Sequence, residues 1–551
     1  MKTRFDLFNL IPNWLKSFSE FYVKRRKVTI RRLALLLIAA FALIAPVTVP
    51  TPVQAAYTEF YCNSTGTNIN AGSTTNEAAL FSDANGNWDA TTGIFVCSAG
   101  AKDLSGVSAG MWASVYVDAA TVTFFVGRIL TVVDATDTIT LSLVASSGVP
   151  PTTSSTGRSI KIGGAWHGPY GTEGFPWGFM SGCATNSSGN SPRVNLKNDA
   201  TYAVTATIVE TNGTAGTIGV GPVRFEGHIL SPGDGGRSII DGGAVGTSFC
   251  IWSNTTSCKN RDMVLLTFQN NGNTATVDGV NCGGSENSFQ RCVFNNLRGH
   301  GIILTGVNHL YSCEAFGCNQ ANATGKGGIA LQSSGDMAIN CISHHNTTAN
   351  ASGFQLDGGI NMLNCIAANN GSSGFRLTAD VSQTIYGCST FMNGGSGIDV
   401  GGSAGNISDA MVVNIVNCSF VSNASAGIRI STSAAKYLNG HIENCAFGSG
   451  TMTNVAGNFL TTQGGASQDG SSLEGVYIAG NILLPLDTTP WVAPLTGDFR
   501  NTSSSVKFAG YGLYTQTYTT TTWTGTVGYP DIGSAEATNS ASGGGSYPFV
   551  Q

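Results

Sequence analysis

The sequence has 551 residues, a formal net charge of −5 and only 11% charged residues, against about 25% in ordinary soluble domains. Glycine supplies 72 residues and the hydrophobic share is 42%, which excludes global disorder and favours short strands with tight turns over helical bundles. No basic run is interleaved with aromatic residues, so a nucleic-acid partner is excluded.

Residues 1–56 read as a signal peptide. Lys24-Arg25-Arg26-Lys27 and Arg31-Arg32 precede the apolar run from Leu33 to Ala45, and the small-residue stretch Val53-Gln54-Ala55-Ala56 follows. The apolar run is short of the ~20 residues a membrane span needs, so membrane contact is expected only through this export signal. Residues 1–55 hold nine Lys/Arg and two Asp/Glu; without them 18 basic and 30 acidic residues remain. The expected location is secreted or at the cell surface. Exported chains put cysteine into disulfides, and Cys62 with Cys97 and Cys250 with Cys258 are candidate pairs.

Residues 57–165 contain strand-like runs at Trp112 to Val117, Thr121 to Val126, Arg128 to Val133 and Thr138 to Val144. They predict a small N-terminal antiparallel β-domain. Residues 166–200 form a junction rich in Gly and aromatics. Its Trp166, Tyr170 and Trp177 suit either a sugar-stacking surface or a cap over the first coil of a solenoid.

Residues 201–485 carry a repeat, clearest from 291 to 449. Cys292, Cys313, Cys341, Cys365, Cys388, Cys418 and Cys445 recur at spacings of 21, 28, 24, 23, 30 and 27. Each of the first six is followed by Gly, Ile or Phe, any residue, then an aliphatic, as in Gly301-Ile302-Ile303-Leu304 and Gly374-Phe375-Arg376-Leu377. Asn346, Asn370, Asn393 and Asn423 stand five residues after their cysteines. Strands alternate faces, so a cysteine and the residue two later point the same way. Asn is expected to take the left-handed backbone conformation of a sharp bend. A unit of this size buries a core only by stacking on its neighbours, which predicts an asparagine column and a cysteine column of small buried hydrophobes, with disulfides between neighbouring coils as the alternative. Beyond residue 486 the periodicity fades into a closing segment and a Gly/Ser-rich flexible tail, 486–551.

Units of roughly 25 residues with short strands and an Asn bend resemble the right-handed parallel β-helix, or pectate-lyase-like, superfamily of secreted bacterial type. The implied fold is all-β: a right-handed parallel β-helix solenoid with a small N-terminal antiparallel β-domain. Its members include lyases, hydrolases, epimerases, adhesins and tailspikes, so function has to come from sites.

Gly299-His300-Gly301 matches one polygalacturonase motif, but Asn-Thr-Asp and Asp-Asp are absent from the chain. Gly301 is the repeat glycine, and His300 fills a slot taken elsewhere by Gly327, Ser352, Ser373, Ser396 and Ala426. His344-His345 sits at a bend, where polar residues are expected, with a metal or acid/base role as the alternative. The variable position of Gly-Ile-x-Leu predicts a solvent-facing column of Gln355, Arg376, Asp399 and Arg429, with Asp357 and Asp380 beside it. The resemblance to pectate lyases implies carboxylates holding calcium and an arginine base on such a face. Arg376 and Asp399 are then the candidate catalytic pair, and Gln355, Asp357, Arg429, Trp166 and Trp177 the candidate ligand-binding residues. The Trp-Ile-Asp-His motif of pectate lyases and the Asp-Pro-His motif of alginate epimerases are missing. The functional expectation is therefore a cell-surface or extracellular glycan-binding or structural protein without a cofactor. The alternative is a polysaccharide lyase or glycoside hydrolase working on the exposed face, with calcium under the lyase alternative.

Overall fold

The computed structural model describes residues 57–63, 79–143, 154–163, 191–210, 222–400 and 411–448 with short breaks, and separate strands as far as residue 525. Residues 1–56, Trp166, Tyr170 and Trp177, Asp380 and the C-terminal tail lie outside the described residues. No helix among the described residues is long and apolar enough to cross a membrane.

Runs of two to seven residues alternate with corners, and the runs stack in parallel. Among the described residues they form three long sheets. Sheet 1 has twelve strands, from Tyr57–Cys62 to Val476–Ala479. Sheet 2 has eleven, from Thr201–Ala203 to Ile482–Leu483, and sheet 3 has ten, from Ile208–Glu210 to Leu460–Gln463. Each coil visits sheets 1, 2 and 3 in that order, as in Ser288–Gln290, Val293–Asn295 and Ile302–Leu304. This is a parallel β-helix.

The sheets run further toward the N-terminus than the repeat does. Tyr57–Cys62, expected in the N-terminal β-domain, pairs in parallel with Ser191–Lys197, expected in the junction. The antiparallel unit is thus spliced between two neighbouring strands of sheet 1. It is a closed barrel of Phe81–Asp89, Ile94–Val96, Thr138–Leu141, Thr121–Val133, Trp112–Asp118 and Ser155–Ile162. Thr121–Val133 is one continuous strand, where the sequence suggests two. The barrel has its own core, including Trp88, Phe95, Ile129 and Ile160. Trp112 reaches across to the helix core and packs on Phe60 at 5.5 Å.

The inward columns are made of like residues at like places. In sheet 1, Phe289, Leu310, Ala338, Met362 and Ile385 stack in register and are fully buried. In sheet 3 the repeat's Ile/Phe and its aliphatic point inward, and Phe354 lies flat on Phe375 at 4.9 Å. Each such side chain contributes about 1.5–3 kcal/mol by leaving water.

The seven column cysteines are buried at the corner between sheets 1 and 2 and are free thiols. Their Sγ–H groups donate to carbonyls: Cys292 to Met263 at 3.3 Å, Cys313 to Phe289 at 3.2 Å, Cys365 to Ala338 at 3.4 Å. Burial raises the Cys292, Cys313, Cys388 and Cys445 thiols well above their ordinary value, so they behave as neutral hydrophobes. The candidate disulfides are not formed. Cys62 lies in the helix core and Cys97 in the barrel core. Cys250 points its thiol at the Trp252 carbonyl, 3.0 Å away, and Cys258 makes contact with Thr255 Oγ1.

The asparagine column differs from expectation in its physics. Asn346, Asn370, Asn393 and Asn423 are not the left-handed residues. The residue before each takes that role: His345, Asn369, Met392 and Ser422, with φ between 50° and 55°. The bend turns the following Asn inward, where its amide joins a ladder. Asn346 Nδ2 donates to Asn370 Oδ1 at 2.8 Å, Asn370 to Asn393 at 2.9 Å and Asn393 to Asn423 at 2.9 Å. The same oxygens accept backbone N–H groups from the coil below, as Asn393 Oδ1 does from Asn370 at 3.1 Å. Buried corner amides are thereby satisfied. A second ladder, unforeseen from the sequence, joins sheet 3 to sheet 1. Asn308 Oδ1 accepts the Asn287 N–H, and Asp336 Oδ1 accepts the Asn308 N–H at 2.8 Å.

Two outcomes follow. Asn370→Ala leaves the Asn346 amide and the Ser343 carbonyl without their partner and should cost about 2–3 kcal/mol in urea unfolding. Asn423→Ala, at the end of the described ladder, should cost less. Burial raises the Asp336 carboxyl to about 7. Because the folded-state value is raised, its contribution is full below the unfolded value of about 4 and is lost as pH rises through about 7. Wild-type stability should fall over that window, and the Asp336→Asn profile should be flatter.

Candidate functional site

The outward position of sheet 3 carries the polar column. Gln355, Arg376, Asp399 and Arg429 are directly paired in consecutive strands, with Ala330 and Ile303 preceding them. In-register stacking puts these four side chains in one line about 4.8 Å apart.

The column does not face open solvent. Arg376 is 7% exposed and Asp399 4%. The chain between sheets 2 and 3 in an earlier coil runs nearby: a side-chain carbon at Gly325, φ 75°, would stand in ordinary contact with the Arg376 guanidinium and Gln355 Oε1. The next residue, Lys326, is tied down by Asp278, whose two oxygens lie 3.0 Å from its Nζ.

The charges along the column are unevenly paired. Arg429 grips Asp399 in a two-pronged contact, Nε to Oδ1 at 2.8 Å and the terminal nitrogen to Oδ2 at 2.6 Å. That bond holds the Arg429 guanidinium above its ordinary value. Asp357 is held by amide donors from Gln355, at 2.7 Å, and Gln332, at 3.1 Å, and by the Thr378 hydroxyl. Burial still raises its carboxyl above the usual range. Of the two neighbouring charge pairs in Arg376–Asp399–Arg429, only Asp399–Arg429 is formed. Arg376 has no hydrogen bond or ion pair with any described residue, and Gln355 Oε1 is buried without a donor. An unpaired guanidinium and a buried carbonyl oxygen without a donor stand on adjacent strands.

His300 has a structural role. It is fully buried, and its Nδ1 accepts the Gly327 N–H at 3.1 Å. Burial pushes its pKa down to about 4, so at neutral pH it is an uncharged acceptor that anchors the entry to the Gly327–Leu331 strand.

A further polar cluster on the outer face of sheet 1 is visible only in the structure. Arg193 pairs with Glu59 at 2.7 Å and Glu226 at 3.6 Å, and Arg224 pairs with Glu226 at 2.8 Å. The alternation in Arg224-Phe225-Glu226 hints at an outward pair. Its meeting with Glu59 depends on the barrel being spliced between neighbouring strands. These groups satisfy one another and form a closed ion-pair network.

No family model matches the sequence, and no curated protein does. Among solved structures the chain is similar to pectate lyase Pel9A, at 16% identity and TM-score 0.37, over 63% of this chain and 88% of that one. It is similar to the Dettilon tailspike protein gp208, at 14% identity and TM-score 0.35; the match covers 54% of this chain and 64%, under two thirds, of the tailspike. It is also similar to the A-module of the Azotobacter vinelandii mannuronan C-5 epimerase AlgE6, at 12% identity and TM-score 0.29, over 56% and 94%.

Removing Arg429 strands a nearly buried carboxylate. Arg429→Ala should lower stability by about 1–3 kcal/mol. A double-mutant cycle with Asp399→Asn should return a coupling of at least about 0.5 kcal/mol. Additive losses in urea unfolding would show that the pair contributes nothing.

Proposed function

We propose that the protein is an exported β-helix that binds glycan along the outer face of sheet 3, with Arg376 as the anchor. The observation that carries this reading is the unmatched pair. Burying an amide oxygen without a donor is costly, and the guanidinium beside it is unpaired, so a ligand that brings a donor and an acceptor satisfies both. A sugar offers both, through its hydroxyls or a carboxylate, and Arg recognises a carboxylate with two parallel N–H bonds. Export rests on the basic, apolar and small-residue order of residues 1–56.

The donor set favours binding over a calcium-dependent lyase. Asp399 is engaged by Arg429, and Asp357 by Gln332, Gln355 and Thr378. Among the described residues no group of three His, Cys, Asp or Glu side chains is placed to hold a metal ion.

The test is a screen of acidic and neutral polysaccharides with wild type and Arg376→Ala. Binding and unsaturated-product release are followed with and without calcium. Wild type should bind, without product. Arg376→Ala should bind at least tenfold more weakly, the equivalent of about 1.4 kcal/mol, while keeping the wild-type melting profile. Product that disappears in Arg376→Ala would replace binding by lyase chemistry. No binding to any polysaccharide would overturn the proposal.

A further inference from the structure

The outer face of sheet 2 holds a second arrangement, independent of the glycan reading. Glu314 and His344 come from adjacent strands, Glu314–Phe316 and Ile342–His344, which pair in parallel. His344 Nε2 lies 2.8 Å from Glu314 Oε1. Phe316, one coil below, stacks flat on the His344 ring at 5.3 Å with an 11° tilt. Ring plane and azimuth are thus both set. The carboxylate also sets the tautomer: it takes the proton on Nε2, which leaves Nδ1 of His344 as a lone pair.

That lone pair meets a second imidazole. His345 Nδ1 is 2.7 Å from His344 Nδ1, with the two rings near perpendicular. The left-handed backbone of His345, φ 51°, allows two successive side chains to meet instead of pointing to opposite faces. In the metal-free protein one Nδ1 donates to the other. His345 is exposed, so its ring can move its proton from Nδ1 to Nε2 through water, after which both Nδ1 lone pairs are available.

We propose that the His344–His345 pair is a two-nitrogen chelate for a late first-row divalent cation, copper(II) before zinc, with Glu314 as the orienting carboxylate. The spacing is compatible with chelation, and the metals' own affinity order sets the preference. With metal–nitrogen bonds of about 2.0–2.1 Å, two ligands at right angles are about 2.9 Å apart and two at a tetrahedral angle about 3.4 Å. The observed 2.7 Å is close to the right-angled value, the geometry of tetragonal copper(II). Copper(II) also binds nitrogen donors most tightly among these ions. Water fills the remaining positions. The proton balance is neutral, because His345 changes tautomer without losing its proton. A carboxylate hydrogen-bonded to the far nitrogen of a ligating imidazole raises ligand basicity and holds the ring in place.

The experiment is calorimetric titration of copper(II), and separately zinc(II), into the full chain and its His344→Ala, His345→Ala and Glu314→Gln variants. Electron paramagnetic resonance is recorded on the copper samples, and a thermal melt confirms each fold. Wild type should take one copper(II) with a signal showing two nitrogen donors, and zinc(II) more weakly. Each His variant should lose at least tenfold in affinity and one nitrogen from the signal. Glu314→Gln should lose about tenfold while keeping both nitrogens. Equal copper binding by wild type and the His344→Ala variant, or no binding by wild type, would overturn the proposal. Glu314→Gln binding as wild type would remove Glu314 from it.

Discussion

Everything in this molecule depends on one constraint: each coil must lie in register on the coil below, about 4.8 Å away. Parallel pairing satisfies the backbone groups of the strands but leaves those of the corners. Corners are buried here, and a buried N–H without a partner costs as much as a lost bond. The asparagine ladder meets that need with side chains that both accept and donate, coil after coil. A one-residue slip would separate every Asn from its neighbour and turn every core residue outward.

The same constraint explains the cysteines. Their corner has room for a small side chain with apolar neighbours, and a thiol fills it while donating weakly to a carbonyl of the coil below. The neutral column and the amide ladder flank sheet 2, one at each end of its strands. In-register stacking also puts function in columns. Whatever occupies an outward position has its counterpart above and below, so Gln355, Arg376, Asp399 and Arg429 form one polar line across four coils.

Much of this was legible in the sequence, for physical reasons. A fixed inward and outward period is a property of local spacing, so the inward columns and the register of the outward one could be read from the Cys and Gly-Ile-x-Leu elements. Four things could not. Which corner residue takes positive φ depends on which side chain must turn inward, and the inward Asn, more conspicuous than its neighbour, drew the assignment to itself. Burial of Arg376 depends on what the folded chain brings over its strand, which no local period reports. The early coil at Tyr57–Cys62 carries no repeat glycine, and the barrel separates it from its partner strand, so no periodic signal links the two. The second ladder escaped because its slot changes residue, from Asn287 and Asn308 to Asp336 and then Ile360.

The central claim is that the outer face of sheet 3, around an unmatched Arg376, is where this protein meets its ligand. Hydrogen–deuterium exchange with and without a bound polysaccharide tests it most directly. Binding at this face predicts slowed exchange confined to the Gly325 excursion and the strands bearing Gln355, Arg376 and Asp399. Protection confined to the outer face of sheet 1 or to the barrel, with sheet 3 unchanged, would contradict it.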